Sequence, residues 1–180
     1  MQHLTPADYT IQPWKNGKGR TIEMWRREEN GRLLIRLSRA TVTEDGPFSV
    51  FPGIARNLTV LSGPGFRLTG AGLDLRCDPL IPVEFPGDLP VMASETEGQQ
   101  SDDFNVMTAA HLPRPQVRVV QNDALAAGGL LALYALGPVT VNDRPVARDD
   151  LILTGNAATL SGDWPMIAVR FSDAAGAAVP

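Results

Sequence analysis

Cysteine and histidine are scarce in this chain of 180 residues. The one cysteine, Cys77, excludes an internal disulfide and any zinc site built from several cysteines. The two histidines, His3 and His111, are too few for a three-histidine metal site and form no H-x-H pair. We therefore predict a protein that holds no metal and no other cofactor, in which Cys77 is an inert, reduced thiol. The counts leave open a Mg²⁺ or Ca²⁺ site built from carboxylates alone, although Asp102-Asp103 and Asp149-Asp150 are more simply interpreted as loop acids.

Long apolar runs and an excess of basic charge are also missing. No stretch approaches the roughly 20 apolar residues of a membrane-spanning helix, and residues 1–9 lack the apolar run of a signal peptide. The 16 basic residues against 20 acidic ones give a net charge of −4, which argues against a nucleic-acid-binding surface. We expect a cytoplasmic protein that has neither a membrane nor a nucleic acid as its partner.

Glycine and proline are plentiful, with 17 and 15 residues, and act as turn signals along the whole chain. Between these signals the sequence predicts short strands at 21–27, 33–42, 58–61, 65–69, 73–77, 81–85, 104–108, 116–121, 130–136, 139–142, 151–154, 158–160 and 166–171. Many short strands separated by turns are typical of a β-sandwich or β-barrel. Single helical turns are expected only at 5–8 and 123–127.

A break in composition near Pro113 and Pro115 divides the chain into two β-halves, 1–112 and 113–180. The second half is short for an independent eight-stranded jelly roll, so we expect the two halves to share strands or a core. The acidic segment 94–103 is interpreted as a surface loop.

A polar strand face is predicted in residues 33–42. Arg36, Ser38 and Ala40 alternate with large apolar residues, so the three share one face of the strand. An arginine followed by two small residues suits the inside of a narrow barrel that holds a polar ligand. The same pattern also fits a half-buried strand whose polar side faces solvent.

Chemically diverse side chains are concentrated at the start of the chain, at Trp14, Lys15, Asn16, Thr21 and Glu23. A ring, a cation, an amide, a hydroxyl and a carboxylate are the groups that hold a small polar molecule in a pocket. The Gly-Lys-Gly sequence within this segment lacks the spacing of a phosphate-binding P-loop. The Asn-Gly pair fits a purely structural hairpin equally well.

Several short motifs follow one another in the first 121 residues: Trp14-Lys15-Asn16-Gly17, Arg36-Leu37-Ser38, Asp45-Gly46-Pro47-Phe48-Ser49, Phe51-Pro52-Gly53 with Arg56, Leu61-Ser62-Gly63, Phe85-Pro86-Gly87-Asp88 and Asp103-Phe104-Asn105-Val106-Met107. Their order and spacing resemble those of the HutD/Ves family. The resemblance implies an all-β fold of the cupin (RmlC-like jelly-roll β-barrel) type, built as two fused halves, or bicupin. It also implies an association with histidine utilisation.

Three functions are compatible with these features. The one we favour is a metal-free regulatory protein that senses a small carboxylate, for which the resemblance suggests urocanate or a substituted glutamate. A cofactor-free isomerase or hydrolase would use Glu23 or Asp88 as general base and Lys15 or Arg56 to stabilise negative charge. A structural or protein-interaction module would use the motifs only to form turns. Catalytic residues stay unassigned, and the oligomeric state is left open, with a homodimer among the alternatives.

The binding hypothesis assigns roles to particular side chains. The predicted anchors of the carboxylate are Lys15, Arg36 and Arg56, because guanidinium and ammonium groups pair strongly with carboxylates. The predicted neutral partners of the ligand's other polar atoms are Asn16, Thr21, Ser38 and Asn105. The remaining predicted contacts are the rings of Trp14 and Phe104, which would pack against an unsaturated group, and the carboxylates of Glu23 and Asp88.

Overall fold

The computed structural model describes residues 1–13 and 20–172. Its regular structure is β-strand apart from one turn of 3-10 helix at Pro6–Asp8, where a helical turn is predicted. The carboxylate of Asp8 accepts hydrogen bonds from N and Oγ1 of Thr5 at 2.8 and 2.9 Å, which fixes the start of that turn. The prediction of an all-β protein is confirmed. Within the described ranges, no helix is long and apolar enough to cross a membrane.

The strands are numbered along the chain. They are β1 (Gln2–Leu4), β2 (Thr10–Pro13), β3 (Arg20–Glu29), β4 (Arg32–Val42), β5 (Gly46–Pro47), β6 (Ile54–Ser62), β7 (Phe66–Gly70), β8 (Leu73–Cys77), β9 (Val83–Pro86), β10 (Met92–Ser94), β11 (Ser101–Ala109), β12 (Gln116–Val120), β13 (Ala124–Leu125), β14 (Leu130–Ala135), β15 (Val139–Val141), β16 (Arg144–Val146), β17 (Leu151–Thr154), β18 (Ala158–Ser161) and β19 (Met166–Phe171).

Contacts within the chain define two compact units. One is Thr10–His111, and the other combines Met1–Tyr9 with the chain from Leu112 onwards. This grouping differs from the sequence-based division, since it places the first nine residues and Leu112 with the C-terminal part. The boundary between 1–112 and 113–180 as two fused halves stays a prediction.

The Thr10–His111 unit consists of two open antiparallel sheets. The larger has the order β2-β3-β4-β11-β6-β9, and the smaller has the order β5-β10-β7-β8. Both sheets contribute to one apolar core, which comprises Val42, Leu58, Val60, Phe66, Leu68, Cys77, Phe85, Val91 and Ala93. The turn between β6 and β7 requires Gly65, which has φ +80. A larger residue at this position would have its Cβ 2.1 Å from the carbonyl oxygen of Cys77.

The second unit also consists of two open sheets, ordered β1-β17-β14-β19-β12 and β13-β18-β15-β16. The N-terminal strand β1 pairs antiparallel with β17. His3 Nε2 lies 2.7 Å from Asp150 Oδ2, and the hydroxyl of Tyr9 donates to the carbonyl oxygen of Asp149 at 2.7 Å. These contacts explain why the first nine residues group with the C-terminal part of the chain.

Every strand predicted from the sequence overlaps an observed one, but two local predictions are wrong. The helical turn expected at 123–127 is instead β13, because Ala124 and Leu125 pair with β18 and Leu125 is buried. The surface loop expected at 94–103 ends early, since β11 begins at Ser101 and Asp103 is buried. The closed barrel is not confirmed, because none of the four sheets in the described chain closes on itself.

Candidate functional site

Several predicted site residues meet on one face of the six-stranded sheet. Ser38 of β4 lies opposite Glu23 of β3 on one side and opposite Asn105 of β11 on the other. Asn105 in turn lies opposite Leu58 of β6, which belongs to the apolar core. Residues directly opposite one another in antiparallel strands point to the same side of the sheet. This row of polar side chains therefore faces the interior of the unit.

A second and a third row flank the first. The second contains Thr21, Ala40 and Asp103, and the third contains Arg36, Met107 and Arg56. Arg36, Ser38 and Ala40 thus share a face, as their alternation predicts. The structure brings together six of the predicted site residues: Thr21, Glu23, Arg36, Ser38, Arg56 and Asn105.

Arg36 and Glu23 form an ion pair on this face. Nε of Arg36 donates to Oε2 of Glu23 at 2.6 Å, and its Nη2 donates to Oε1 of Gln12 at 3.0 Å. Both charged side chains are largely withdrawn from solvent. The other oxygen of Glu23 lies 3.6 Å from Nη1 of Arg26, so the carboxylate is shared between two arginines, with the shorter contact to Arg36.

Phenylalanine rings surround the second arginine, Arg56. N of Phe51 donates to the carbonyl oxygen of Gly87 at 2.6 Å, which joins the two Phe-Pro-Gly turns of the sequence. Phe85 lies directly opposite Arg56 across the β6–β9 pairing. The guanidinium carbon lies 5.2, 5.4 and 4.9 Å from the ring centroids of Phe48, Phe51 and Phe85. Aromatic faces at these distances attract a cation.

The guanidinium of Arg56 is buried but not fully hydrogen-bonded. The residue is 5% exposed. Its Nη2 donates to Oδ1 of Asn105 at 2.9 Å, and its Nη1 donates to the carbonyl oxygen of Ser49 at 3.4 Å. Its Nε is buried and has no hydrogen-bond partner. Burial lowers the pKa of Arg56 to about 10, so the group still carries its charge at neutral pH.

Asp103 is one of the residues that the sequence analysis did not assign to the site. It is 1% exposed; its Oδ1 accepts a hydrogen bond from Nδ2 of Asn105, and its Oδ2 has no partner. Burial raises the pKa of Asp103 to about 7, although the charge of Arg56 acts in the opposite direction. At neutral pH Asp103 therefore offsets only part of the charge of Arg56.

Signals in the sequence could have found these additional residues. Asp103 has the period-two spacing to Asn105 and Met107 that identifies one face of a strand. The enclosing rings of Phe48, Phe51 and Phe85 all belong to motifs that the sequence analysis singled out.

Other predicted contacts lie elsewhere. Phe104 alternates with its neighbours in β11, so its buried side chain points to the opposite face of the sheet. Asp88 is exposed just after β9. Trp14, Lys15 and Asn16 lie outside the described residues. The roles assigned to these five residues stay predictions.

Neither a metal-binding cluster nor an activated thiol is present in residues 1–13 and 20–172. No group of three or more histidine, cysteine, aspartate or glutamate side chains is placed there to hold a metal ion. Cys77 is buried, and burial raises the pKa of its thiol to about 12. The thiol is thus uncharged at neutral pH and a poor nucleophile.

Both the sequence and the structure of this chain are similar to those of known proteins. A family model described as HutD matches residues 6–165. HutD from Pseudomonas fluorescens SBW25 is 26% identical with a TM-score of 0.84, over 95% of this chain and 97% of that one. The conserved protein of unknown function PA5104 from Pseudomonas aeruginosa PAO1 is 27% identical with a TM-score of 0.82, over 95% and 98%.

A more distant likeness concerns the fold alone. A cupin 2 conserved barrel domain protein from Leptotrichia buccalis is 7% identical with a TM-score of 0.53, over 84% of this chain and 88% of that one. The architecture is therefore cupin-like. Because the family model spans most of the sequence, this chain belongs to the HutD family.

Proposed function

We propose that this protein binds a small carboxylate at Arg56 and acts as a metal-free regulatory protein linked to histidine utilisation. The observation that carries the proposal is a buried, charged guanidinium whose Nε has no hydrogen-bond partner. Urocanate and substituted glutamates are the proposed ligands. A bicupin arrangement of the two units and a cytoplasmic location form part of the same proposal.

The charge balance on the interior face favours an anion as ligand. Arg36 is paired with Glu23, whereas within residues 1–13 and 20–172 the acid that acts on Arg56 is Asp103, whose ionisation burial disfavours. A buried charge is costly unless it is paired and hydrogen-bonded. A ligand carboxylate that accepts hydrogen bonds from Nε and one Nη of Arg56 would satisfy the unpartnered Nε. It would do so in the bidentate geometry that arginine favours.

The rings around Arg56 suit the rest of such a ligand. The ring of Phe51 is only partly buried and offers apolar surface against which an imidazole or a short carbon chain packs favourably, whereas Phe85 is 2% exposed and belongs to the core. Asn105 and Asp103 add an amide and a carboxyl group within the same hydrogen-bonded chain. The combination of one cation, aromatic surface and a few polar groups is typical of small-molecule sites.

The two alternative functions gain less support. Glu23, a candidate general base, is engaged in the ion pair with Arg36, and the other candidate, Asp88, is exposed. A purely structural module gives no reason for leaving a buried Nε without a partner, because such a group costs free energy. Saturable binding without turnover supports the proposal, whereas product formation that Glu23→Gln abolishes would support the enzyme.

Calorimetry with matched acids and amides tests the proposal. The ligands are urocanate, glutamate, formylglutamate and the corresponding amides. The structure of the Pseudomonas fluorescens HutD is described for a formate condition, so formate is added as the smallest carboxylate. We expect the acids to bind and the amides to bind much more weakly, because only the acids supply a charge to Arg56.

Variants identify the anchor. Arg56→Met should weaken binding by more than tenfold, since losing a buried charged anchor costs about 2–5 kcal/mol. Arg144→Met, at an exposed position in β16, is the matched control and should bind as the wild type does. Lys15→Met and Arg36→Met test the other predicted anchors. Equal binding of acid and amide, or no loss in Arg56→Met, would contradict the proposal.

A further inference from the structure

We propose that the unit formed by residues 1–9 and the chain from Leu112 contains a second binding cleft, for a small dicarboxylate. The cleft has a volume of about 280 Å³ and lies beside β12, β13, β14 and β19. Its floor is apolar and includes Leu125, Leu131 and Ala168. Its rim carries the guanidinium groups of Arg118 and Arg170. This volume is slightly below the roughly 300–1,000 Å³ of typical small-molecule sites, which restricts the ligand to a small one.

Strand register places the two arginines side by side. Arg118 of β12 lies opposite Ala168 of β19, and Arg170 of β19 lies opposite Gln116. Arg118 and Arg170 are therefore diagonal neighbours on one face, with Cα atoms about 7–8 Å apart. Leu131 lies opposite Arg170 on the same side of the sheet. Two cations are thus aligned along an apolar floor.

Arg170 is held in a fixed position at the cleft. Its Nη2 donates to the carbonyl oxygen of Ala126 at 2.7 Å, and its Nη1 donates to that of Gly128. The chain directly after these carbonyls packs closely against the end of β19, since Gly129 has φ +63 and a Cβ there would lie 1.9 Å from the carbonyl oxygen of Phe171. A cation that is already ordered loses little entropy when a ligand binds.

Arg118 is free to exchange its partner. Its Nη2 lies 3.5 Å from Oδ2 of Asp123, and the two side chains are 63% and 36% exposed. Such an exposed pair contributes little to stability, so a ligand carboxylate can replace Asp123.

The lining residues define the class of ligand. They include two arginines and one aspartate, which leaves an excess of positive charge on a protein with a net charge of −4. One carboxylate of the ligand would bind Arg170 and the other Arg118, and the carbon chain between them would cover the apolar floor. This requirement selects a small dicarboxylate over a compact inorganic anion. The cleft uses none of the residues around Arg56, so the inference does not rest on the function proposed above.

Amide chemical shifts in a titration with succinate test the inference. We expect saturable shifts at residues 116–131 and 166–171 that persist in Arg56→Met, and weaker binding of the neutral diamide succinamide and of inorganic phosphate at these residues. Arg118→Gln should weaken succinate binding about tenfold, which corresponds to the loss of one charge-assisted contact. Arg144→Gln changes the net charge equally in the same unit and should leave the affinity unchanged.

A second variant guards against an effect of net charge alone. Arg170→Lys keeps the charge but loses the planar fork, and it should also weaken succinate binding. Equal affinities for Arg118→Gln and Arg144→Gln, equal binding of succinate and phosphate, or shifts scattered over the whole protein would overturn the inference.

Discussion

Arg56 and Asn105 lie on neighbouring strands, and Nη2 of Arg56 donates a 2.9 Å hydrogen bond to Oδ1 of Asn105. The two residues are not directly opposite, since Asn105 lies opposite Leu58, so the bond runs diagonally across the sheet. The same amide donates from Nδ2 to Asp103. One side chain therefore positions both the buried cation and the buried acid.

The first prediction concerns this amide. Asn105→Ala removes a hydrogen-bond partner from both Arg56 and Asp103. Because both residues are buried, they cannot form replacement hydrogen bonds with solvent water. We expect the free energy of unfolding to fall by about 1–3 kcal/mol in urea denaturation. The control is Asn156→Ala, at an exposed position, which should change it by less than about 0.5 kcal/mol. Equal stability of the two variants would contradict the bridging role of Asn105.

The second prediction is a dependence of stability on pH that comes from Asp103. Burial raises its pKa to about 7 in the folded protein, against 3.8 for an ordinary aspartate. Between these two values the folded state binds more protons than the unfolded state, so the free energy of unfolding falls as pH rises. The amide of Asp103→Asn does not titrate in this pH range. The free energy of unfolding of this variant should therefore not show the fall that Asp103 causes.

Urea denaturation from pH about 4 to about 8 measures this effect. The stability of Asp103→Asn relative to the wild type should increase with pH by an amount on the order of a few kcal/mol. Taking the difference cancels the titration of all other groups. A difference that does not vary with pH would show that Asp103 titrates normally.

The third prediction concerns the Arg36–Glu23 pair. Arg36→Met leaves the largely buried Glu23 without its main partner, and we expect a loss of about 3 kcal/mol. Adding Glu23→Gln should recover part of the loss. The control is Arg67→Met, because the pair of Arg67 with Asp74 is exposed and contributes little to stability. Equal losses of stability in the two arginine variants would refute this prediction.

The fourth prediction is the absence of a stoichiometric transition metal. It follows from the sequence, which has one cysteine and two histidines. Elemental analysis of the purified protein should find iron, zinc and manganese far below one atom per chain, and a chelator should leave the melting temperature unchanged. About one atom of any of these metals per chain would refute it.

Local patterns were sufficient to predict much of the β structure. The period of two in residues 33–42 places Arg36, Ser38 and Ala40 on one face, and this needs no knowledge of the fold. The shortest strands are different. The two residues of β13 form a strand only because β18 lies beside them, so propensity and turn signals did not reveal them.

The surroundings of Arg56 could not be predicted from the sequence, because the strand topology brings them together. Phe48, Phe51 and Phe85 lie in two separate parts of the sequence and meet only around Arg56. Asp103 is the last residue of an acidic segment interpreted from the sequence as a loop, and its burial is tolerated because Asn105 and Arg56 lie next to it. Such compensation between strands cannot be deduced from the order of residues along one strand.

The most direct test of carboxylate binding at Arg56 is a crystal structure of this protein with urocanate bound. We expect the carboxylate within about 3 Å of Nε and one Nη of Arg56, and the imidazole ring against Phe51. Urocanate bound at another place, with Arg56 still hydrogen-bonded only to Asn105 and Ser49, would contradict it.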